Sequence, residues 1–500
     1  MSQIKIGWAS RDVSTDKPIN IPGQFHMRIS KGVMDPVTVN ALVLDDGNDQ
    51  VIFLSCDLVV VRSRVLDIIR EKLQKRHPEI PGMKILMNAT HTHDGPSHYE
   101  DKPENRPFDY GMEVASSDDY REFLTDSCVD AVAEAWSKRA PGSYAYGYGY
   151  AVVAHSRRVC YFDDVSKRPG AIINSTHGVN GTSVMYGNTN DDNFSHYEAG
   201  ADHFVNLLYT FDADGKLTGA IVNVPCPSQN SEHEWMLSAD YWHNTREAIR
   251  AKHGNIFIAA QCAAAGDLSP RILHYKEAQN RRFRLKYGVE PSAHDTELSA
   301  RKDIAERIAV TFDEVLSWAQ KDKRSEATIR HVVETVYLSR RLISDEEYAY
   351  AKAGYAEECA KPYFTEQDIP DPAKRIRENS ILLSLRNRYK GIINKYEQQQ
   401  TQPKVPMELH VIGIDDIAFA SNRFELYMDF QHRIQARSPF EQTFIVQLAA
   451  QPGPEGGTYL CTERGFKGRG YSASMYCNLV SPAGGQELVE ETVKILKEIH

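Results

Sequence analysis

The stretch Asn88-Ala-Thr-His-Thr-His-Asp-Gly-Pro96 places two imidazoles, His91 and His93, two residues apart behind an apolar run, Ile85 to Met87. Positions i and i+2 of an extended segment face the same side. Both rings can therefore enter one cleft past a strand end, where α/β proteins commonly hold their chemistry. Imidazole suits zinc-like ions and serves as a base near neutral pH. Other groups of the right type lie far along the chain: Arg157, Glu425, Tyr459, Tyr471, and the pair Asp267 and Ser269 in a Gly-Asp-Leu-Ser-Pro turn. By type alone, Asp267 and Ser269 serve equally well as turn caps, and a single Glu such as Glu425 is most often a solvated helix face. The eight cysteines are scattered with no C-x-x-C pair, so a metal here would take nitrogen and oxygen ligands rather than thiolates. The chain carries no G-x-S-x-G elbow, no P-loop, and no G-x-G-x-x-G after a strand.

The elements that must position these residues are legible from periodicity. Residues 41–44 and 51–55 read as strands of a hairpin around Asp45-Asp-Gly-Asn. Residues 65–75 have helical spacing and lead to the strand before His91, a βαβ-like opening. A helix is expected over 118–138, stopped by Pro141-Gly142. Tyr144, Tyr146, Tyr148 and Tyr150 alternate as a strand with a partly wet aromatic face. Residues 167–200, rich in Gly, Asn, Ser and Asp, are expected to border the cleft. A second hairpin spans 204–211 and 217–224, a helix 240–253, and a strand 255–260 ending in the small-residue turn 263–271. Residues 272–405 are charge-rich and expected to be mainly helical, as a cap over the cleft or an oligomer surface. Strands return at 407–414, 417–420 and 443–448, with helices at 424–436 and 486–499. These readings make an α/β fold, with one composite catalytic domain from residues 1–271 and 406–500 and a helical insertion between.

The composition, 41% hydrophobic and 25% charged, is that of an ordinary globular chain. A net charge of -10 argues against nucleic acid or an anionic membrane as partner. No run is long and apolar enough for a spanning helix, and the N-terminus lacks a secretory pattern. With unpaired cysteines, this makes a cytoplasmic protein the expectation, with a small-molecule substrate and a possible homo-oligomer.

Taken together, several fragments resemble the neutral/alkaline ceramidase family: Ile6-Gly-Trp, Val33-Met-Asp-Pro36, Ala41-Leu-Val-Leu-Asp-Asp-Gly47, Thr90-His-Thr-His-Asp-Gly-Pro96, Ser156-Arg157, Gly266-Asp-Leu-Ser-Pro270, Phe424-Glu425 and the 459–471 segment. The resemblance implies a mixed-sheet catalytic domain with flanking helices, and a zinc amidohydrolase whose metal is held by two histidines, a glutamate and a tyrosine. Carried over, His91 is the first histidine ligand, Glu425 the carboxylate and Tyr459 the phenol. Tyr471 matches a second active-site tyrosine, while His93, Arg157 and Ser269 fall around the scissile amide. One position departs. In Asn223-Val-Pro-Cys-Pro-Ser-Gln, Pro227 stands where the second histidine belongs, and proline cannot ligate. Either Gln229, Glu232 or His233 rebuilds the site, or a harder ion replaces Zn2+, or no metal binds. The C-terminal β-domain of many ceramidases is also expected to be absent. The resulting expectation is a metal-dependent hydrolase of an amide or related acyl bond in a small polar molecule, for instance an amino-sugar derivative. The alternatives are acid/base hydrolysis of a glycosidic or lactone bond without zinc, using His93, Asp267, Glu232 or Glu425, and a non-catalytic ligand-binding relative.

Overall fold

The runs 41–44 and 51–54 are apolar at every position, so strands made from them must be covered on both faces. In the computed structural model, which describes residues 2–171 and 180–500, they are: all eight residues are fully buried. Strands β1 (Lys5–Asp12), β2 (Thr38–Asp45), β3 (Gln50–Cys56), β4 (Ile85–Ala89), β5 (Ala140–Tyr150), β6 (Phe204–Asp212), β7 (Leu217–Val224) and β8 (Phe257–Cys262) form one sheet in the order β8-β7-β6-β5-β1-β2-β3-β4. The outermost pairs, β7–β8 and β3–β4, are parallel and the inner ones antiparallel. A second sheet runs β9 (Ile329–Ser339), β10 (Lys404–Ile414), β11 (Ile417–Ser421) and β12 (Gln442–Val446), with only β11–β12 parallel.

The two sheets pack face to face. Trp8, Leu42, Phe53 and Leu86 from the larger meet Ile412, Phe419, Phe444 and Val446 from the smaller in one buried cluster. Helices cover the outer faces. The first is α1 (Val65–Arg76), the crossover between parallel strands β3 and β4. It is followed by α2 (Ser117–Ser137), α3 (Tyr241–His253), α4 (Lys276–Tyr287) and α5 (Ala293–Ala319). Apolar residues of α1, α2, α3 and α5 close the far side of the larger sheet. Beyond them come α6 (Asp345–Ala360), α7 (Pro372–Gln399), α8 (Met428–Gln435), α9 (Glu463–Gly468) and α10 (Pro482–Ile499), of which α8 and α10 cover the smaller sheet. No helix among the described residues is long and apolar enough to cross a membrane.

Helix starts follow their caps. The Ser116 hydroxyl accepts from the Asp118 and Asp119 amides at α2, and the Asp371 carboxylate from the Lys374 amide at α7, satisfying donors that a helix start leaves unpaired. Within the 272–405 stretch, expected to be mainly helical, β9 is a strand that the periodicity does not mark, and it forms the edge of the second sheet. The tyrosine strand is partly wet, as its alternation suggests: Tyr144 is fully buried between the sheets, while Tyr148 and Tyr150 are exposed.

Candidate active site

Strand β4 ends at Ala89, and His91 then turns the chain with a left-handed φ of 65°. That turn is fastened on both sides. The Ser228 hydroxyl donates to Thr90 O at 2.6 Å, and the His93 amide donates to Ser228 O at 3.1 Å. Arg28 reaches Asp94 at 3.1 Å, with both side chains about 1% exposed, and donates to the His93 carbonyl.

The His91 ring is oriented by a 2.7 Å contact from Nδ1 to Val59 O. A carbonyl only accepts, so Nδ1 donates to it and Nε2 is turned toward the cavity. That nitrogen lies 3.4 Å from His93 Nε2 and 3.3 Å from Glu425 Oε2. Glu425 and Tyr459 come together because short segments Glu425–Leu426 and Tyr459–Leu460 pair in parallel, with these two residues in register. The helix expected from 424 begins only at Met428, which leaves Glu425 in extended backbone. Gly266 packs against this ribbon, where a Cβ would collide with the Glu425 carbonyl oxygen. The small-residue turn therefore does allow the close backbone approach expected of it.

Arg157 lies 3.7 Å from Glu425 Oε2 and donates to the Tyr459 hydroxyl at 3.0 Å and to Gly266 O at 2.9 Å. It is placed by a two-residue pairing of His155–Ser156 with Leu268–Ser269. Burial works to raise the Glu425 carboxyl, but His91, Arg157 and the Tyr459 hydroxyl outweigh it and hold the group at about 2. Burial pushes the Tyr459 phenol up, against the pull of Arg157, so it stays a hydrogen-bond donor. His93 Nδ1 stands 2.8 Å from Glu232 Oε2, a close contact whose geometry falls short of a directed hydrogen bond. Burial lowers the His93 pKa. Glu232 is held well below the usual carboxylate range despite burial, with the Arg271 guanidinium as its second partner.

These groups sit in an open cavity of about 770 Å³. His91, His93, Glu425, Tyr459 and Tyr471 line it, and Ser380, Leu383, Ser384 and Asn387 of α7 form part of its wall. Tyr471 meets Tyr459 edge-on at 5.7 Å.

Other expected residues lie elsewhere. Asp267 does not line the cavity; its carboxylate accepts from the Met428 amide at 3.0 Å and starts α8. Ser269 lies 3.3 Å from the Tyr186 hydroxyl and 3.5 Å from Gln229 Nε2, behind Arg157. Gln229 donates to Tyr186, and His233 is an exposed partner of Glu297 at 2.6 Å. Of the substitutes considered for the missing histidine, only Glu232 contacts the histidine pair, through His93 rather than His91. Tyr186, which contacts Arg157 at 3.3 Å, was not singled out by the sequence. Its signal was the 167–200 stretch, of which 172–179 fall outside the described residues.

Pro227 occupies the loop fastened to the histidine turn and supplies no donor. His91 Nε2, Glu425 Oε2 and the Tyr459 hydroxyl still form a nitrogen and oxygen donor set of the kind zinc takes. Among the described residues, however, no three His, Cys, Asp or Glu side chains gather as a metal cluster.

No protein-family model and no curated protein matches the sequence. Solved structures do. Neutral ceramidase from Pseudomonas aeruginosa superposes with a TM-score of 0.66 at 16% identity, over 100% of this chain and 75% of that one. A ceramidase complexed with C2 gives 0.64 at 16% identity, with the same coverage. The fold is that of neutral ceramidase. Identity this low carries the ceramidase architecture and no more; the chemistry must be argued from the side chains.

Proposed function

We propose that this protein is a hydrolase that cleaves an amide or related acyl bond of a small polar substrate with an activated water. The observation that carries the reading is the placing of His93 Nε2 and Glu425 Oε2 within 3.4 Å of His91 Nε2 on the wall of an open cavity. His93, kept neutral by burial, is the base. It takes a proton from water as the oxygen attacks the carbonyl carbon, and Glu232, braced by Arg271, balances the imidazolium. The Tyr459 hydroxyl and the Arg157 guanidinium stabilise charge on the carbonyl oxygen. As the C–N bond breaks, the proton on His93 passes to the leaving amine. Zinc, held by His91, Glu425 and Tyr459, would supply Lewis-acid polarisation of the carbonyl and acidify the water. A wall carrying Glu100, Asp101, Lys102 and Arg106 suits a polar molecule better than a lipid tail.

The test is a panel of N-acyl amino acids, N-acyl hexosamines and N-acyl lipids, assayed alongside metal analysis of the purified protein. Amine release from a polar member is expected, with His93→Gln lowering kcat by about 10²- to 10⁴-fold. No hydrolysis of any member, with or without added zinc, would sink the reading.

A further inference from the structure

On the cavity wall stands one cation that neither the reaction nor, among the described residues, an ion pair uses. Arg62 lines the cavity beside Val59 and Val60, the segment whose carbonyl at Val59 orients His91. Its guanidinium carbon lies 4.5 Å above the Tyr99 ring. Stacking satisfies the face of a guanidinium and leaves its in-plane N–H fork free for an acceptor. That fork has no partner: Nε is buried without an acceptor, and among the described residues no carboxylate pairs with Arg62. An unmet buried donor is costly, yet the surroundings hold the arginine in place. Buried His98, kept uncharged by burial and then by Arg62 itself, accepts the Arg62 amide at 3.3 Å. Gly456 lets the opposite loop pass, since a Cβ there would stand 2.8 Å from Arg62 Nε.

The other charges on the wall, apart from Glu104, are engaged. Glu100 pairs with Lys102 at 2.9 Å. Asp101 takes the Ser116 hydroxyl and the Ser117 amide at 2.9 and 2.8 Å, with Arg106 at 3.8 Å. Glu425 belongs to His91 and Arg157. What remains is a preformed cation with a planar fork, matched to a carboxylate or a phosphate.

We propose that Arg62 is a specificity-determining residue, which anchors an anionic group that the substrate carries apart from its scissile bond. This deepens the hydrolase reading and rests on it for the word substrate; the anion site itself does not. The experiment pairs titration calorimetry with kinetics on wild type, Arg62→Ala and Arg62→Lys. The probes are N-acetyl amino acids, their uncharged methylamides, N-acetylhexosamine 6-phosphate and N-acetylhexosamine.

Expected for the wild type is tighter binding of one anionic probe than of its neutral partner. Arg62→Ala should weaken that anion by about 10- to 100-fold, the loss of a charge-assisted fork, with little change for the neutral partner and partial recovery in Arg62→Lys. In turnover the loss should fall on KM, with kcat nearly unchanged. Preference for the amino acid or for the sugar phosphate tells carboxylate from phosphate. Anion binding that depends on Arg62 without hydrolysis would overturn the hydrolase reading and leave the anchor standing. Equal binding of charged and neutral partners, no binding of either anion, or an equal effect of Arg62→Ala on both, would overturn the anchor.

Discussion

At the scale of single residues, two carboxyl groups of the same neighbourhood behave in opposite ways. Glu425 is ionised because His91 and Arg157 flank it. Among the described residues no cation pairs with Asp267, and burial raises it to about 6. It holds the Met428 amide instead of facing the cavity, which makes it a structural cap. A carboxyl group raised in the folded state binds its proton more tightly there than in the unfolded chain. Its contribution to stability is therefore best below pH 4 and is lost as pH rises through 6. That rise in its pKa corresponds to roughly 3 kcal/mol. Asp267→Asn keeps an acceptor for Met428 and removes the charge. Urea denaturation should show the variant more stable than wild type at pH 7.5, by up to about 3 kcal/mol, with the gap falling to about 1 kcal/mol at pH 4.5 and closing below pH 4. Hydrolytic activity should persist; its abolition with the fold intact would make Asp267 catalytic after all. The sequence alone left Asp267 open between turn cap and catalytic acid, because Asp serves both roles in a Gly-Asp-x-Ser-Pro turn.

At the scale of elements, the histidine turn depends on a side chain that no motif marks. Arg28 leaves a two-residue strand, Arg28–Ile29, and ties Asp94, the His93 carbonyl, Pro22 O and Glu234 O into one knot. Breaking a buried pair strands the remaining charge, at a cost of about 3–5 kcal/mol. Arg28→Met should show that loss in denaturant unfolding, and adding Asp94→Asn should recover part of it. A full-size loss that Asp94→Asn does not relieve would argue against the pair as the cause. His91 could be read from its own His-Thr-His string, whereas Glu425 and Tyr459 carry no such local signal and were reached only through the family resemblance. Arg28, Arg62 and Tyr186 could be read neither way, since an isolated arginine or tyrosine has no local signal and its partners are set by tertiary packing. Strand β9 was hidden for a related reason. Its buried positions Ile329, His331, Val336 and Leu338 are interleaved with exposed Arg330, Glu334, Thr335 and Tyr337 between two charge-rich helices, and the flanks dominate the average character of the stretch.

At the scale of the whole molecule, the site is divided between the two sheets. His91 follows β4 of the larger sheet, and Glu425 follows β11 of the smaller. Backbone contacts bridge them: the Ala89 amide donates to Leu448 O at 3.3 Å, and the Leu448 amide to Phe424 O at 3.2 Å. The separation of His91 and Glu425 is therefore a property of how the sheets pack. That packing centres on Phe419, which stacks on Phe444 with ring centroids 4.3 Å apart and meets Phe53 of the larger sheet at 4.8 Å. Phe419→Ala removes the ring that spans the seam. It should destabilise by about 3–5 kcal/mol and, because reacting groups tolerate little displacement, lower kcat by up to about 10²-fold. Phe466, 39% exposed on α9, is the control, and Phe466→Ala should change stability by no more than about 0.5 kcal/mol. The decisive measurement is kcat under conditions where both variants are fully folded. Full kcat in Phe419→Ala would mean that the loops carrying His91 and Glu425 hold their spacing without the sheets, and that the backbone bridge through Leu448 suffices.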